Sequence, residues 1–120
     1  MKIPETLAGR TKKLFELIAT EFKQDNKQII ALIDAGVDYR TMQTGSTLLH
    51  FAAMWSDVTV VQRLLPHSEL EFRTDTDNYT PLHAAAKAAK VANVQLLLEA
   101  GAEINAQDGN GQTALHLLNI

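Results

Sequence analysis

Apolar residues near the N-terminus recur at the spacing of an amphipathic helix. Between residues 12 and 23 they are Leu14, Leu17, Ile18 and Phe22. This spacing places them on one face of a helix with about 3.6 residues per turn. Asp25 and Asn26 interrupt the pattern, and a second apolar stripe follows at residues 29–33, closed by Gly36. The pattern predicts a pair of short helices with charged side chains on the outer surface.

The rest of the chain is dominated by a repeat with a period of 33 residues. A Thr-x-x-His motif begins at Thr47, Thr80 and Thr113, and its histidines are His50, His83 and His116. Paired alanines and paired leucines in the first two of these units keep the same interval. Independent features that share one period indicate an array of structural units.

Each unit carries the signals of two short helices and a loop. Thr is a good N-cap, since its hydroxyl accepts a hydrogen bond from a free amide of the first turn, and Pro81 suits the first helical position. A second apolar stripe is expected to begin at Val91, and Gly101 provides the left-handed residue that ends a helix. The polar segment 105–112 is typical of a tight turn. The predicted unit is helix, short turn, helix and projecting loop.

The unit resembles the ankyrin repeat in its Thr-Pro-Leu-His opening, its Ala-Ala and Leu-Leu pairs, and its closing Gly-Ala-x-x-Asn. Residues 78–106 match this pattern closely, and the resemblance extends over residues 12–120. It implies an all-α solenoid, a single domain over residues 1–120 with about four units. These units are a helix pair at about 10–40, full repeats at 41–73 and 74–106, and a partial repeat at 107–120.

Some residues depart from the ankyrin pattern. Ser56 and Ala89 stand where the family usually has Gly between its two helices, which predicts a tighter or less regular turn there. Pro66 cannot continue a helix and predicts an early end to the second helix of the middle unit. Ser68 replaces the closing Gly, so that helix end is expected to have another shape.

Composition and charge exclude several classes of function. There are 11 Lys and Arg against 14 Asp and Glu, a net charge of −3, which argues against nucleic-acid binding. The sequence has no Cys, hence no disulfide and no Cys-bound zinc, and it fits a reducing, cytoplasmic compartment. Delivery into another cell stays open. No apolar run reaches the length of a membrane-spanning helix, and no secretory signal is visible at the N-terminus, so no membrane association is expected.

No pattern predicts a catalytic, cofactor or metal site. The three motif histidines lie one unit apart, and stacked helices are about 8–10 Å apart, whereas zinc ligands lie about 2 Å from the metal. We expect each His instead to tie its own helix start to the neighbouring loop, as ankyrin histidines do. Residues 108–112 resemble the start of a calcium loop but lack its final Glu. Phosphate-binding and nucleophile motifs are missing as well, so the protein is predicted not to be an enzyme.

The predicted binding surface consists of positions that stacking leaves free. By resemblance to ankyrin arrays these positions line a concave groove and the loop tips. The partner-binding residues are predicted to be Met54, Trp55, Thr76, Asp77, Tyr79, Lys87, Lys90 and Asn110, with Thr44, Ser46, Ala88 and Gln112 nearby. Trp55 is the strongest candidate, because Ala88 occupies the same position one unit later and large rings are contact hot spots. The alternative is that Trp55 packs over the irregular Pro66 region or over a neighbouring unit.

The sequence therefore predicts a module that binds another protein, with no nucleic acid, membrane or cofactor. Two alternatives stay open. One is a small stand-alone inhibitor or immunity-type protein that neutralises a toxin or enzyme, which an initiator Met1 at the edge of the fold favours. The other is an N-terminal targeting array of a longer catalytic or effector protein, which the abrupt end at Ile120 favours. The protein is expected to be a monomer or to associate through the apolar C-terminal stub, residues 113–120.

Overall fold

The computed structural model describes residues 5–20, 26–43 and 45–118. Phe22, Asp25, Thr44 and Ile120 lie outside these ranges. The described part contains seven α-helices and no strand, apart from an isolated bridge between Gln43 and Ser46. The helices are α1 (Leu7–Thr20), α2 (Asn26–Ala35), α3 (Leu48–Trp55), α4 (Val58–Leu64), α5 (Pro81–Lys87), α6 (Val91–Glu99) and α7 (Ala114–Leu118). A short 3-10 turn, Leu65–His67, follows α4.

The helices form two layers that are stacked along the chain. The inner layer contains α1, α3, α5 and α7, each packed against the next, and the outer layer contains α2, α4 and α6. Each of the first three inner helices also packs against the outer helix that follows it. The described residues extend over 43 × 25 × 24 Å, which is the elongated form of a stack. The predicted all-α solenoid is confirmed, whereas the limits of the individual units stay a prediction.

Small side chains allow the inner helices to approach closely. The four alanines of the paired motif, Ala52, Ala53, Ala85 and Ala86, are each at most 1% exposed. Buried leucines fill the layers around them, among them Leu49 of α3. Since interiors are close-packed, a larger side chain at these alanines would force the helices apart. The composition rich in Ala and Leu thus follows from the stacking of short helices.

A buried histidine joins the start of α3 to the loop that precedes α5. Thr47 caps α3, and its backbone N–H donates to Nδ1 of His50 at 3.2 Å. Because Nδ1 accepts this bond, the ring proton is placed on Nε2, which donates to the Tyr79 carbonyl at 2.9 Å. One neutral ring therefore caps its own helix and holds the next loop.

The same arrangement recurs one unit later. The Thr80 N–H donates to Nδ1 of His83 at 3.1 Å, and Nε2 of His83 donates to the Gln112 carbonyl at 3.0 Å. In the last described unit the Thr113 N–H donates to Nδ1 of His116 at 3.2 Å, and this pair is solvent-exposed. We call the bonds of His50 and His83 to the following loops the histidine ladder.

The departures from the ankyrin pattern change the outer layer locally. As expected, α4 ends at Leu64, before Pro66, and spans 7 residues where α6 spans 9. Ser68 ends the following 3-10 turn in an extended conformation, and its hydroxyl donates to the Leu64 carbonyl at 2.6 Å. Ala89 occupies the left-handed region with φ +58°, whereas Ser56 is extended with φ −104°. The two turns between helices are therefore built differently.

The expected position of Val91 in the apolar stripe of α6 is wrong. Val91 is 57% exposed, and Asn93 is buried in its place. The Asn93 amide donates to the carbonyls of Ala53 at 3.1 Å and Ser56 at 2.8 Å. These bonds satisfy carbonyls at the C-terminal end of α3, which is why a polar side chain fits here. Apolar periodicity alone does not reveal such a contact.

Lowering the pH is expected to destabilise the fold through His50. Burial lowers the pKa of His50 below its ordinary value of 6.5, and the carbonyls of Tyr79 and Phe72 oppose this only in part. The unfolded state therefore binds the proton first. Stability is full above pH 6.5 and falls as the pH drops from there toward the lowered pKa of the folded state. Urea denaturation at pH 7.5, 6.5 and 5.5 measures this decrease.

The variant His50→Gln isolates the contribution of this ring. It is expected to be less stable at pH 7.5 by about 1–3 kcal/mol, because a buried hydrogen-bonded group is lost, and to lose part of the pH dependence. His67→Gln is the matched control, since His67 is exposed and stacks on Tyr39 at the surface. A pH dependence that survives unchanged in His50→Gln would contradict the assignment.

Replacing Ala89 by Gly is expected to stabilise the protein. A side chain at positive φ costs the folded state about 1–2 kcal/mol, and Gly removes that cost. Gly also increases the entropy of the unfolded chain, which lowers stability by about 0.4–1 kcal/mol. Ala89→Gly should therefore raise the free energy of unfolding by up to about 1 kcal/mol, as measured by urea denaturation. Ala100→Gly is the control, because Ala100 is exposed with φ −77°, and it should destabilise. Equal losses in both variants would show that Ala89 is not strained.

Candidate functional site

A groove runs between α3 and α5 on the inner layer, and we call it the Trp55 groove. Its volume is about 390 Å³. The groove is lined by Ser46, Phe51, Met54, Trp55, Thr74, Thr76, Asp77, Tyr79, Ala84 and Lys87. The last turn of α3, the loop before α5 and α5 itself provide most of these residues. Six of the eight predicted partner-binding residues are therefore brought together in one place.

Trp55 lies at the rim of this groove with 53% of its surface exposed. It is the last residue of α3 and directly precedes the extended residue Ser56. Met54 is half-buried and packs against the core on its inner side. The pair thus combines an exposed ring with a supported, adaptable apolar side chain.

The floor of the groove was not predicted from the sequence. Phe51 is half-buried, and its ring packs edge-on against Phe15 with centroids 5.2 Å apart. Ala84, one period later, provides the neighbouring part of the floor, and Thr74 contributes from the loop. Phe51 precedes Met54 by three residues on α3, so helical spacing places both on one face. That spacing was the available signal for Phe51, whereas nothing local marks Thr74.

Tyr79 has a structural role as well as a position in the groove. Tyr79 was predicted to be among the positions that stacking leaves free, but its ring is half-buried and stacks on His83 with centroids 5.6 Å apart. The Tyr79 carbonyl accepts from His50 and, at 2.8 Å, from the Thr74 N–H. Burial raises the pKa of the Tyr79 hydroxyl, and the charges of Asp77 and Asp108 raise it further.

Asp77 lines the loop end of the groove, and two further carboxylates lie close to it. Asp75 stands between the lining residues Thr74 and Thr76. Asp108 precedes Gly109, whose N–H donates to the Asp77 carbonyl at 2.9 Å. Asp75 and Asp77 are exposed, whereas Asp108 is only 6% exposed. Oδ1 of Asp108 accepts from the N–H groups of Asn110 and Gln112, at 2.8 and 2.9 Å. Its other oxygen, Oδ2, is buried without a hydrogen-bond partner among the described residues.

Two predicted residues lie outside the groove. Lys90 is exposed at the turn before α6, in a shallow depression of about 330 Å³ formed with Asp57, Val58 and Ala89. Asn110 is exposed in the loop before α7, and its N–H is held by Asp108. Neither residue lines the surface that contains Trp55.

The four positions that were predicted to lie near the binding residues are also only partly in the groove. Ser46 lines the groove, Ala88 is half-buried, and Gln112 is exposed while its carbonyl accepts from His83. Thr44 lies outside the described residues.

The described residues contain no group of His, Cys, Asp and Glu that could hold a metal ion. Within the same ranges, no helix is long and apolar enough to cross a membrane.

Comparison with known proteins gives relatives that are much longer than this chain. The E3 ubiquitin-protein ligase KEG of Arabidopsis thaliana is 34% identical over 97 residues, which are 79% of this chain and 6% of that protein. Human inversin is 36% identical over 119 residues, 97% of this chain and 11% of inversin. The B-cell lymphoma 3 protein homolog of mouse is 38% identical over 88 residues, 70% of this chain and 20% of that protein.

The family model described as ankyrin repeats in three copies matches residues 17–108. This range covers more than half of the sequence and includes the described helices from α2 to α6. Ankyrin repeats generally mediate protein–protein interaction, and the family is typically a binding module. On the repeat, the stacked helices and this match, the chain belongs to the ankyrin-repeat family.

Proposed function

We propose that this chain binds a partner protein through the Trp55 groove. The observation that carries the proposal is the half-exposed Trp55 at the rim of a groove whose floor, Phe51 and Ala84, is apolar. Ala88 occupies the position of Trp55 one unit later, so stacking does not require a large ring there. The ring of Trp55 is therefore available for a contact. Trp is one of the residues that are enriched at energetic hot spots of interfaces.

The groove is supported on both sides before any partner binds. The histidine ladder holds the loop before α5 through the Tyr79 carbonyl, and Met54 packs on the core. A surface that is already ordered loses less conformational entropy on association. This supports a binding mode in which the partner adapts to the groove.

The two alternatives from the sequence concern the partner and not the surface. An inhibitor or immunity-type protein would use the groove to block a toxin or an enzyme. A targeting array would use it to select the substrate or anchor of a longer protein, and the length of the relatives supports that alternative. Ankyrin-repeat proteins are usually intracellular, and on that ground we place the partner in the cytoplasm.

Truncating Trp55 is expected to weaken binding without unfolding the protein. Trp55→Ala should lower affinity for the partner at least about tenfold, as hot-spot truncations do. The free energy of unfolding should fall by no more than about 1–2 kcal/mol, because about half of the residue is already exposed. The measurement is quantitative recovery of partners from the source cell with wild-type and variant bait, beside thermal denaturation of each bait.

Val91→Ala is the matched control, since Val91 is an equally exposed apolar residue outside the groove. Its recovery of partners should equal that of the wild type. If Trp55→Ala lost several degrees of melting temperature while partner recovery stayed unchanged, the ring would be a packing residue and the proposal would fail.

A further inference from the structure

We propose that the Trp55 groove takes a partner segment with a basic side chain at the loop end and a large apolar side chain at the Trp55 end. This inference rests on the proposed function and adds the chemistry and the direction of the bound segment. It follows from the unequal charge at the two ends of the groove.

The two ends are defined by the course of α5. The helix begins at Pro81, directly after Tyr79 and Thr80, and ends at Lys87. α3 lies beside α5, and the bond from His50, near the start of α3, to the Tyr79 carbonyl places the starts of both helices together. Trp55, the last residue of α3, is therefore at the end of the groove where Lys87 lies. Seven residues of helix separate the two ends by about 10 Å.

The loop end is acidic. Asp75 and Asp77 are exposed, and Asp108 adds a buried carboxylate. In the described loops 73–79 and 105–112 the one cationic side chain is that of Arg73, whose guanidinium donates to the carbonyls of Asn78 at 2.9 Å and Gln107 at 2.7 Å. Three carboxylates against one guanidinium leave a net negative charge.

A ring beside these carboxylates favours a cation further. Tyr79 lines the groove at this end, where burial raises the pKa of its hydroxyl and the charges of Asp77 and Asp108 raise it further. A Lys or Arg side chain between a carboxylate and the face of an aromatic ring gains both ion pairing and a cation–π contact. The loop end thus has two independent features that select positive charge.

The opposite end selects an apolar side chain and repels a cation. Trp55 and Met54 supply the apolar surface, and Phe51 continues it toward the floor. Lys87 lies at this same end and is exposed. Its positive charge disfavours a basic side chain beside Trp55, so the segment is bound in one direction.

The distance between the two ends determines the spacing in the partner. An extended segment advances about 3.3 Å per residue, so about 10 Å corresponds to three residues. The partner segment therefore carries Lys or Arg about three positions from a large apolar residue.

A library of random dodecapeptides displayed on phage tests the inference. The library is panned on the whole chain, and the enriched peptides are synthesised with a fluorescent label and titrated by polarisation. Trp55 is the single Trp of the sequence, so its emission reports directly whether a peptide covers the ring. We expect enriched peptides with a basic and an apolar residue about three positions apart, and a shift of Trp55 emission to shorter wavelength.

Variants of Asp77 separate the charge from the groove. Asp77→Asn should weaken these peptides about threefold to fivefold at low salt, and Asp77→Lys should weaken them more, with both effects reduced at high salt. Glu99→Gln is the matched control, because Glu99 is an exposed carboxylate at the end of α6, outside the groove. It should leave the affinity unchanged. Circular dichroism of each variant verifies that it is folded.

The outcomes distinguish this inference from the proposed function. Two outcomes would overturn the inference and leave the groove as the binding site. In the first, the enriched peptides bind less well to Trp55→Ala but carry no basic residue. In the second, they bind less well to Trp55→Ala but bind Asp77→Lys as well as the wild-type protein. Enriched peptides that bind Trp55→Ala with wild-type affinity would overturn both. A library that yields no peptide dependent on Trp55 would also count against both.

Discussion

The histidine ladder is the constraint on which the rest of this structure depends. Each buried ring accepts a bond from the cap of its own helix and donates to the carbonyl of the following loop, at Tyr79 for His50 and at Gln112 for His83. Helix capping and loop position are therefore coupled through one side chain. A buried imidazole that lost either partner would leave an unsatisfied polar group, so the two contacts are retained together.

The proposed binding surface lies where the residues of successive repeats differ. The ladder and the paired alanines keep the same residue types one period apart, since stacking requires the same shape in each layer. The groove positions differ between units: Phe51 is followed by Ala84, Met54 by Lys87, and Trp55 by Ala88. Residues that stacking does not constrain give the groove its apolar end and its charge. Positions that keep their residue type one period apart thus form the scaffold, and positions that change form the proposed binding surface.

The sequence predicted much of the candidate site, because exposed positions of a known repeat can be located by counting. It predicted Trp55 and five other groove residues, but not Phe51, which is shared between core and groove. It also treated Tyr79 as free of the scaffold, although the ring stacks on His83. Asn93 was missed for a similar reason, since its bonds reach carbonyls 37 and 40 residues away. Contacts between residues so far apart in the sequence do not alter the local pattern of apolar positions.

The sequence by itself determined the fold: a 33-residue period, Thr caps, small residues between helices and Pro66 set which segments become helices and where they end. These are local effects of backbone geometry and apolar spacing, and they repeat. Only the tertiary structure decided which side chains share a surface. The groove joins residues from two units and a loop held by a hydrogen bond over 29 residues. Its acidic end and its Trp55 end follow from that packing, because the charge of a surface depends on which distant residues the stack brings together.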